Sequence, residues 1–392
     1  MHNVKKNILV LGGDGFCGWP TSLHLSNLGY KIIIIDNLSR RKIDRQLKTN
    51  SLTPISNINL RIKTWNELSD APNIEYYNID VSKEYLKLKE LILKFMPKTI
   101  IHFAEQRSAP YSMKNESTKI YTVSNNISAT HNLLCVLIEL KLDTHLIHLG
   151  TMGVYGYSGE HVIPEGYLDV MIKSGPKLVK KNIMYPADPG SIYHMTKTLD
   201  ALMFYFYNKN DKLKITDLHQ GIVWGTNTPE TEAHKNLTNR FDYDGDFGTA
   251  LNRFIVQGII NFPLTIYGTG EQKRAFININ NTVQCIQLAI ENPPKNEDKV
   301  KIYNQVTEVF SIKEIAKIIA KKTNSKIQYI KNPRNEAKKN DLDVVNYKFS
   351  KLKLNKVLLS EKCINEIENI AKKYSHRINK NSILPSSLWN KK

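Results

Sequence analysis

The pentad Tyr193-His194-Met195-Thr196-Lys197 sets a phenol and an ammonium four residues apart. On a helix, positions i and i+4 share one face, so the cation lies beside the phenol. A neighbouring positive charge favours the phenolate and makes it a base near neutrality. Thr151, ending the apolar run "THLIHLGT" (144–151), supplies a hydroxyl to the same substrate oxygen. A second constellation opens the chain. Gly12, Gly15 and Gly18 follow the apolar run "NILVLG" and precede a helical pattern. Glycine permits a tight turn and close backbone approach to a pyrophosphate, which then faces a helix N-terminus. Asp36 ends the next apolar run, at the spacing of an acid that binds adenosine ribose hydroxyls. Its charge repels a 2′-phosphate and so favours NAD over NADP, with Arg40 and Arg41 nearby as rival readers. Asp80 and Val81, after a third strand, are placed to meet the adenine. One feature of the glycine loop is unusual: Asp14, Phe16, Cys17 and Trp19 fill it, where small residues would do.

These residues need a scaffold, and the first 150 residues provide its signature. Short β-rich runs alternate with helical periodicity, the pattern of a parallel sheet with crossover helices. Strands are expected at 7–12, 31–36, 74–80, 98–105, 144–151 and 214–225, and helices at 16–28, 83–95, 117–141 and from Ser191. The expected fold is α/β, a Rossmann-type doubly wound parallel sheet with a smaller C-terminal substrate-binding lobe. Residues 1–225 form mainly the NAD-binding domain and 226–392 mainly the lobe, with 263–310 partly returning to the first domain. Two insertions stand out: 37–73 replaces a short connection, and 154–190 reads as a long loop before the tyrosine-bearing helix. Loops of that length in a compact enzyme serve a site or an interface.

Composition narrows the classes. The chain of 392 residues carries 55 Lys plus Arg against 37 Asp plus Glu, a formal net charge of +18. Only ten of the basic residues are arginine, and the lysine-rich stretches are equally rich in asparagine and isoleucine. That is a basic solvated surface that attracts anionic substrates, and no nucleic-acid partner is expected. No run approaches the roughly 18 apolar residues of a membrane span. The start "MHNVKKNILVLGGDG" imitates a signal peptide, but its apolar stretch stops too early, so it reads as the first strand of a cytoplasmic protein. Four scattered cysteines, with no paired spacing and no clustered histidine, predict reduced thiols and no metal site.

Beyond these pieces, a series of specific motifs runs in order along the chain. They are "GGDGFCGW", "DNLSRR", "NSLTPI", "HFAEQRSAPYSM" (102–113), "LGTMGVYG", "YHMTK", "TDLHQGIVWG", "ETEAHKNLTNRFDYDGDFGTALNRF", "YGTGEQKRAF", "NTVQC" and "NPRNEA". In these motifs the sequence resembles the UDP-sulfoquinovose synthase family of the extended short-chain dehydrogenase/reductase superfamily. The resemblance implies tightly held NAD, oxidation of C4 of UDP-glucose, loss of water across C5 and C6, and addition of sulfite to the resulting 4-keto-5-ene. It also implies roles. Gly12, Asp14, Gly15, Phe16, Cys17, Gly18, Asp36, Asn37, Arg40, Arg41, Asp80, Val81, Tyr193, Lys197 and Gln220 would meet NAD. Arg107, Thr151, Gln220, Asn252, Arg253, Arg274 and Arg334 would meet substrate, Arg274 and Arg334 at the diphosphate. Thr151, Tyr193 and Lys197 would carry the C4 chemistry.

Related dehydratases place an Asp-Glu pair after the strand-end threonine, and here those positions are Met152 and Gly153. His194 and Glu105 are therefore the candidates for acid and base work. The plainer alternatives are that His194 only shapes the pocket and that Glu105 pairs with Arg107. Asn278 and Asn280 stand where the family has acids, and "PADPGS" (186–191) is an unfamiliar lead into the tyrosine. A homodimer through two helices is the superfamily habit, and sulfite delivery by a partner protein is open. The rival readings are a nucleotide-sugar 4-epimerase or dehydratase for surface polysaccharide, and a superfamily member recruited to bind nucleic acid.

Overall fold

The computed structural model describes residues 5–156, 161–185, 187–296, 298–334, 336–340, 342–384, 387 and 389. Its centre follows from the apolar runs. Strand β1 (Lys5–Leu11) and strand β2 (Tyr30–Ile35) have no polar face, so both faces must be covered. The period of two then divides their side chains. Ile8, Val10, Ile32 and Ile34 enter one core, while Leu9, Leu11, Ile33 and Ile35 enter the other. Strands β3 (Glu75–Tyr77), β4 (Thr99–His102) and β5 (His145–Thr151) join them, with Lys214–Gln220 and Lys301–Gln305 beyond. Edge to edge the order is Lys301–Gln305, Lys214–Gln220, β5, β4, β1, β2, β3, and every pairing is parallel. This is the doubly wound sheet expected. No helix among the described residues is long and apolar enough to cross a membrane.

The segment 214–225, read as one strand, is two. Lys214–Gln220 belongs to the large sheet, and Ile222–Trp224 pairs with Glu271–Asn278 in a small one. The break is Gly221, where a Cβ would lie 2.8 Å from the Ala275 carbonyl oxygen. There the chain crosses into the lobe, whose core gathers Trp224, Phe241, Phe254, Phe276, Ile315 and Ile367. It returns through the helix Ile279–Glu291, which packs on helix α1 (Gly18–Asn27), and through the edge strand Lys301–Gln305. Asn278, out of family pattern, caps the returning helix by accepting from the Asn280 N–H at 2.8 Å.

The long segment 154–190 is a correction as well. Where a loop was expected, Tyr167–Ser174 and Lys177–Met184 form an antiparallel hairpin joined at Gly175. Alternating Val, Ile, Leu and Lys residues favour this strand pair even though most of it is exposed. Residues 157–160 and 186 of the segment lie outside the described residues.

Candidate active site

A cavity of about 770 Å³ opens at the carboxyl ends of β1, β2, β4, β5 and Lys214–Gln220, between sheet and lobe. Ligands bind at this end of open α/β sheets because loops and helix N-termini converge there.

Its dinucleotide end is shaped for close backbone approach. Gly12 has φ +82°, and a Cβ there would lie 2.7 Å from the Phe103 carbonyl carbon. A Cβ on Gly18 would overlap the Gly12 carbonyl. The loop thus packs as bare backbone at the start of α1, as a pyrophosphate cradle requires. Asp36 closes this end and accepts from the Asp14 and Leu38 N–H groups at 3.0 and 2.7 Å. Burial, with Asp14 nearby, pushes its carboxyl up to about 6. Asn37, Arg40, Asp80, Val81 and Gln220 also line the cavity. The Asp80 carboxylate accepts from Ser82, and Gln220 donates to the Thr282 hydroxyl at 3.0 Å.

Asp14, Phe16 and Cys17 of the loop line the cavity, and the odd loop side chains also tie it to its surroundings. The Asp14 carboxylate receives Arg41 at 2.5 and 2.8 Å and the fully buried Arg61 at 2.6 Å. Both arginines belong to the 37–73 insertion, so Asp14 fastens that insertion to the cradle. Trp19 donates to the Leu237 carbonyl at 2.8 Å, with the Arg61 guanidinium 3.8 Å from its ring. Phe16 lies under Arg107, at 5.6 Å, and the Cys17 thiol reaches Gln220, at 4.0 Å. Arg41 lies outside the cavity lining, held by Asp14 and the Ser56 carbonyl. Arg40 pairs with Asp44 and Asp242 and lies 3.6 Å over the Phe247 ring.

The catalytic trio does meet. Thr151 accepts from the Gly153 N–H at 3.1 Å, and its hydroxyl lowers the Tyr193 phenol beside it. Lys197 lies behind the phenol, donating to the Leu149 carbonyl at 2.8 Å. The electrostatics differ from the sequence expectation. Burial raises the Tyr193 phenol above its ordinary value, with Lys197 pulling the other way and Glu105 adding to the rise. Burial outweighs the nearby cation, and the Lys197 charge is also shared with Glu105 through an ion pair.

Glu105 was expected to serve as an acid or base on the sugar. Its carboxylate is only 2% exposed, and it faces Lys197, His102, His148 and the Thr130 hydroxyl at 2.9 Å. Burial opposes its charge, but Lys197 and the two imidazoles hold it well below the usual carboxylate range. Arg107 pairs with Asp242, at 2.6 Å, and not with Glu105. Behind Glu105 the network continues. His148 bonds Lys197 at 3.0 Å and Asp217 at 2.8 Å, and Asp217 bonds His219 at 2.9 Å. Burial and Lys197 oppose protonation of His148, yet Asp217 and Glu105 raise it to about 9. Glu105, His148 and Asp200 could together ligate a metal, but the Lys197 ammonium already bonds two of the three.

Glu105 therefore tunes the trio. Glu105→Gln removes an anion beside the phenol and leaves the Lys197 charge unmatched, so the phenolate becomes easier to form. Single-turnover C4 oxidation followed against pH should show its rising limb displaced to lower pH. An unmoved limb would separate Glu105 from Tyr193.

His194 is the remaining candidate. Its ring packs so closely on Gly153 that a Cβ there would overlap the imidazole. Gly153 stands where the dehydratases have an acid, and the imidazole occupies the room that its missing side chain leaves. Burial, then Arg334 and Arg274, drive the ring down to about 3, so it is neutral at ordinary pH. Arg253, Arg274 and Arg334 line the cavity beside it. Arg253 bonds the Tyr267 hydroxyl and the Thr265 carbonyl, and Arg274 pairs with Glu336. Glu336 escaped the sequence reading although it sits in "NPRNEA"; a carboxylate among arginines was the available signal. Asn252 is buried outside the cavity lining and donates to the Asp242 carbonyl at 3.1 Å.

Residues 8–304 match the NAD dependent epimerase/dehydratase family. A chloroplastic UDP-sulfoquinovose synthase from Spinacia oleracea is 40% identical over 99% of this chain and 80% of its own. A UDP-sulfoquinovose synthase from Sulfolobus acidocaldarius is 36% identical over 84% of this chain and 83% of its own. Among solved structures, the UDP-glucose 4-epimerase of Thermotoga maritima, crystallised with UDP-glucose, superposes with a TM-score of 0.70. That match covers 94% of this chain and 99% of the other at 20% identity, and it is a likeness of fold.

Proposed function

This chain belongs to the NAD dependent epimerase/dehydratase family, with the UDP-sulfoquinovose synthases, and on that premise we propose that it makes UDP-sulfoquinovose from UDP-glucose and sulfite. The observation that carries the proposal is the His194 imidazole seated on Gly153, beside the Thr151–Tyr193 pair.

The cradle of Gly12, Gly15 and Gly18, with Asp36 at its end, fits NAD. When bound, NAD supplies the two-electron oxidation of C4 and its later reversal. The protein's own residues handle protons and position. Tyr193 takes the C4 hydroxyl proton, with Thr151 sharing the hydrogen bond and Lys197 holding charge behind. A C4 ketone acidifies the C5 hydrogen, so the neutral His194 can remove it as hydroxide leaves C6. Sulfite then adds at C6 of the enone, its sulfur forming the new bond and C5 regaining a proton. Arg274 and Arg334 hold the diphosphate, and Arg107 lies on the pocket wall to meet an oxyanion.

Asp36 sets the choice of dinucleotide in this reading. Asp36→Ala should weaken NAD binding and narrow its lead over NADP, both measured by titration calorimetry. Tighter NADP binding by the unaltered protein would remove Asp36 as the reader.

Product mass spectrometry tests the function. UDP-glucose with sulfite should yield a C6 sulfonate with C4 unchanged. UDP-galactose as the sole product, whether or not sulfite is present, would establish a 4-epimerase instead. A homodimer belongs to the same proposal. Exposed Leu199, Leu202 and Phe206 on the helix Ile192–Asp211 offer an apolar face for a second copy, and sedimentation at twice the chain mass would support it. Delivery of sulfite by a partner protein has no residue of its own here.

A further inference from the structure

Two residues far from every motif reach the substrate end of the cavity. Ser387 and Trp389 both line it, beside Arg334. Ser387 is 1% exposed, and its hydroxyl has no hydrogen-bond partner among the described residues. Trp389 is attached twice to the same dipeptide. Its N–H donates to the Pro333 carbonyl at 2.9 Å, and the Arg334 guanidinium lies 5.3 Å from its ring centroid.

An arginine that is to grip a diphosphate must be held in place without losing its charge. A carboxylate restrains a guanidinium but neutralises it, as Glu336 does for Arg274. An aromatic face restrains it and leaves the charge available, because the attraction is to the ring quadrupole. Trp is the strongest such face. Arg274 is thus held by direct pairing with Glu336, whereas Arg334, within reach of the same carboxylate's field, lies against an indole.

We propose that Trp389 is a positioning residue of the nucleotide-sugar site, holding Arg334 at the cavity wall so that its guanidinium meets the substrate diphosphate. Ser387, 1% exposed, lines the same wall of the cavity. This rests on the UDP-sugar reading above and adds to it a residue that binds through Arg334.

The test uses the NAD-loaded protein and titration calorimetry with UDP, inorganic pyrophosphate and uridine. Trp389→Ala should weaken UDP and pyrophosphate about tenfold, the scale of a desolvated cation–π contact, and leave uridine unaffected. Trp389→Phe keeps a ring and should recover most of the loss. KM for UDP-glucose should rise in step, with kcat within about twofold, since uniform binding affects KM alone. NAD affinity, measured alongside, should not change and reports intact folding. Unchanged UDP affinity in Trp389→Ala, or no recovery in Trp389→Phe, would overturn the proposal. A loss confined to uridine would also overturn it, because the indole would then be stacking on the base. If the unaltered protein binds neither UDP nor pyrophosphate, the UDP-sugar reading itself fails, and the proposal with it.

Discussion

Tyr193→Phe should lower turnover by ~10² or more while NAD and UDP-glucose still bind, the usual scale for losing a positioned acid or base. The Tyr193 side chain is half-buried on the cavity wall beside Thr151, so phenylalanine keeps the packing and loses only the proton carrier. Little else can replace it. Thr151 offers a hydroxyl that already accepts from Gly153, and Lys197 is matched by Glu105. The loss should appear in C4 oxidation, read as the absence of NADH absorbance when UDP-glucose is added. Near-normal turnover would remove Tyr193 from the mechanism. The pH profile carries a second expectation. Burial raises the free-enzyme phenol, so wild-type C4 oxidation should increase with pH through and beyond neutrality.

The pieces that were legible in the sequence share a physical character: they are local. The glycine loop, the strand-end Asp36 and the Tyr193–Lys197 spacing each declare their geometry within a few residues, because turns and helix faces have short periods. The all-parallel sheet follows from continuous apolar runs such as "KIIIID" in the same way. Long-range pairings were not legible. Nothing near Asp14 signals that its partners are Arg41 and Arg61, 27 and 47 residues away. Nothing near Glu105 signals that it folds against Lys197 instead of Arg107. Arg40, Arg107 and Arg240 converge on one carboxylate, Asp242, which explains why charge appears so densely in "HFAEQRSAPYSM" and "NRFDYDGDF". Arg240, 3% exposed between Asp44 and Asp242, is part of the framework, whereas Arg107 keeps 37% of its side chain exposed on the cavity wall and stays available to an oxyanion. The hairpin at 167–184 was missed for a related reason. Its two faces are both exposed, so it lacks the clean alternation that identifies a half-buried strand.

Gly153→Ala should abolish C5 chemistry as thoroughly as removal of His194 itself. A Cβ at Gly153 would overlap the imidazole, and the ring is the mobile partner, so it must rotate out of its seat. The three atoms nearest that Cβ position all belong to the His194 ring, so the clash falls on His194 and C4 oxidation should continue. The expected result with UDP-glucose in deuterated water, without sulfite, is therefore twofold. NADH absorbance should still develop, and deuterium entry at C5 should fall by ~10² or more, the scale of a positioned base. His194→Ala should behave alike, whereas Gly153→Ser should be no better than alanine because its Cβ is the same. The pH dependence separates a base from a pocket filler. A base must be unprotonated, and the His194 imidazole is lowered to about 3 in the free protein by burial and by Arg334 and Arg274. A diphosphate on those arginines relieves their share, but the larger share, burial, remains. Exchange should therefore persist well below pH 6.5, the ordinary imidazole value, and fail only in more acidic solution. Loss of exchange centred at or above that value would point to another base. Full exchange in Gly153→Ala would show that the seated imidazole has no part in C5 deprotonation.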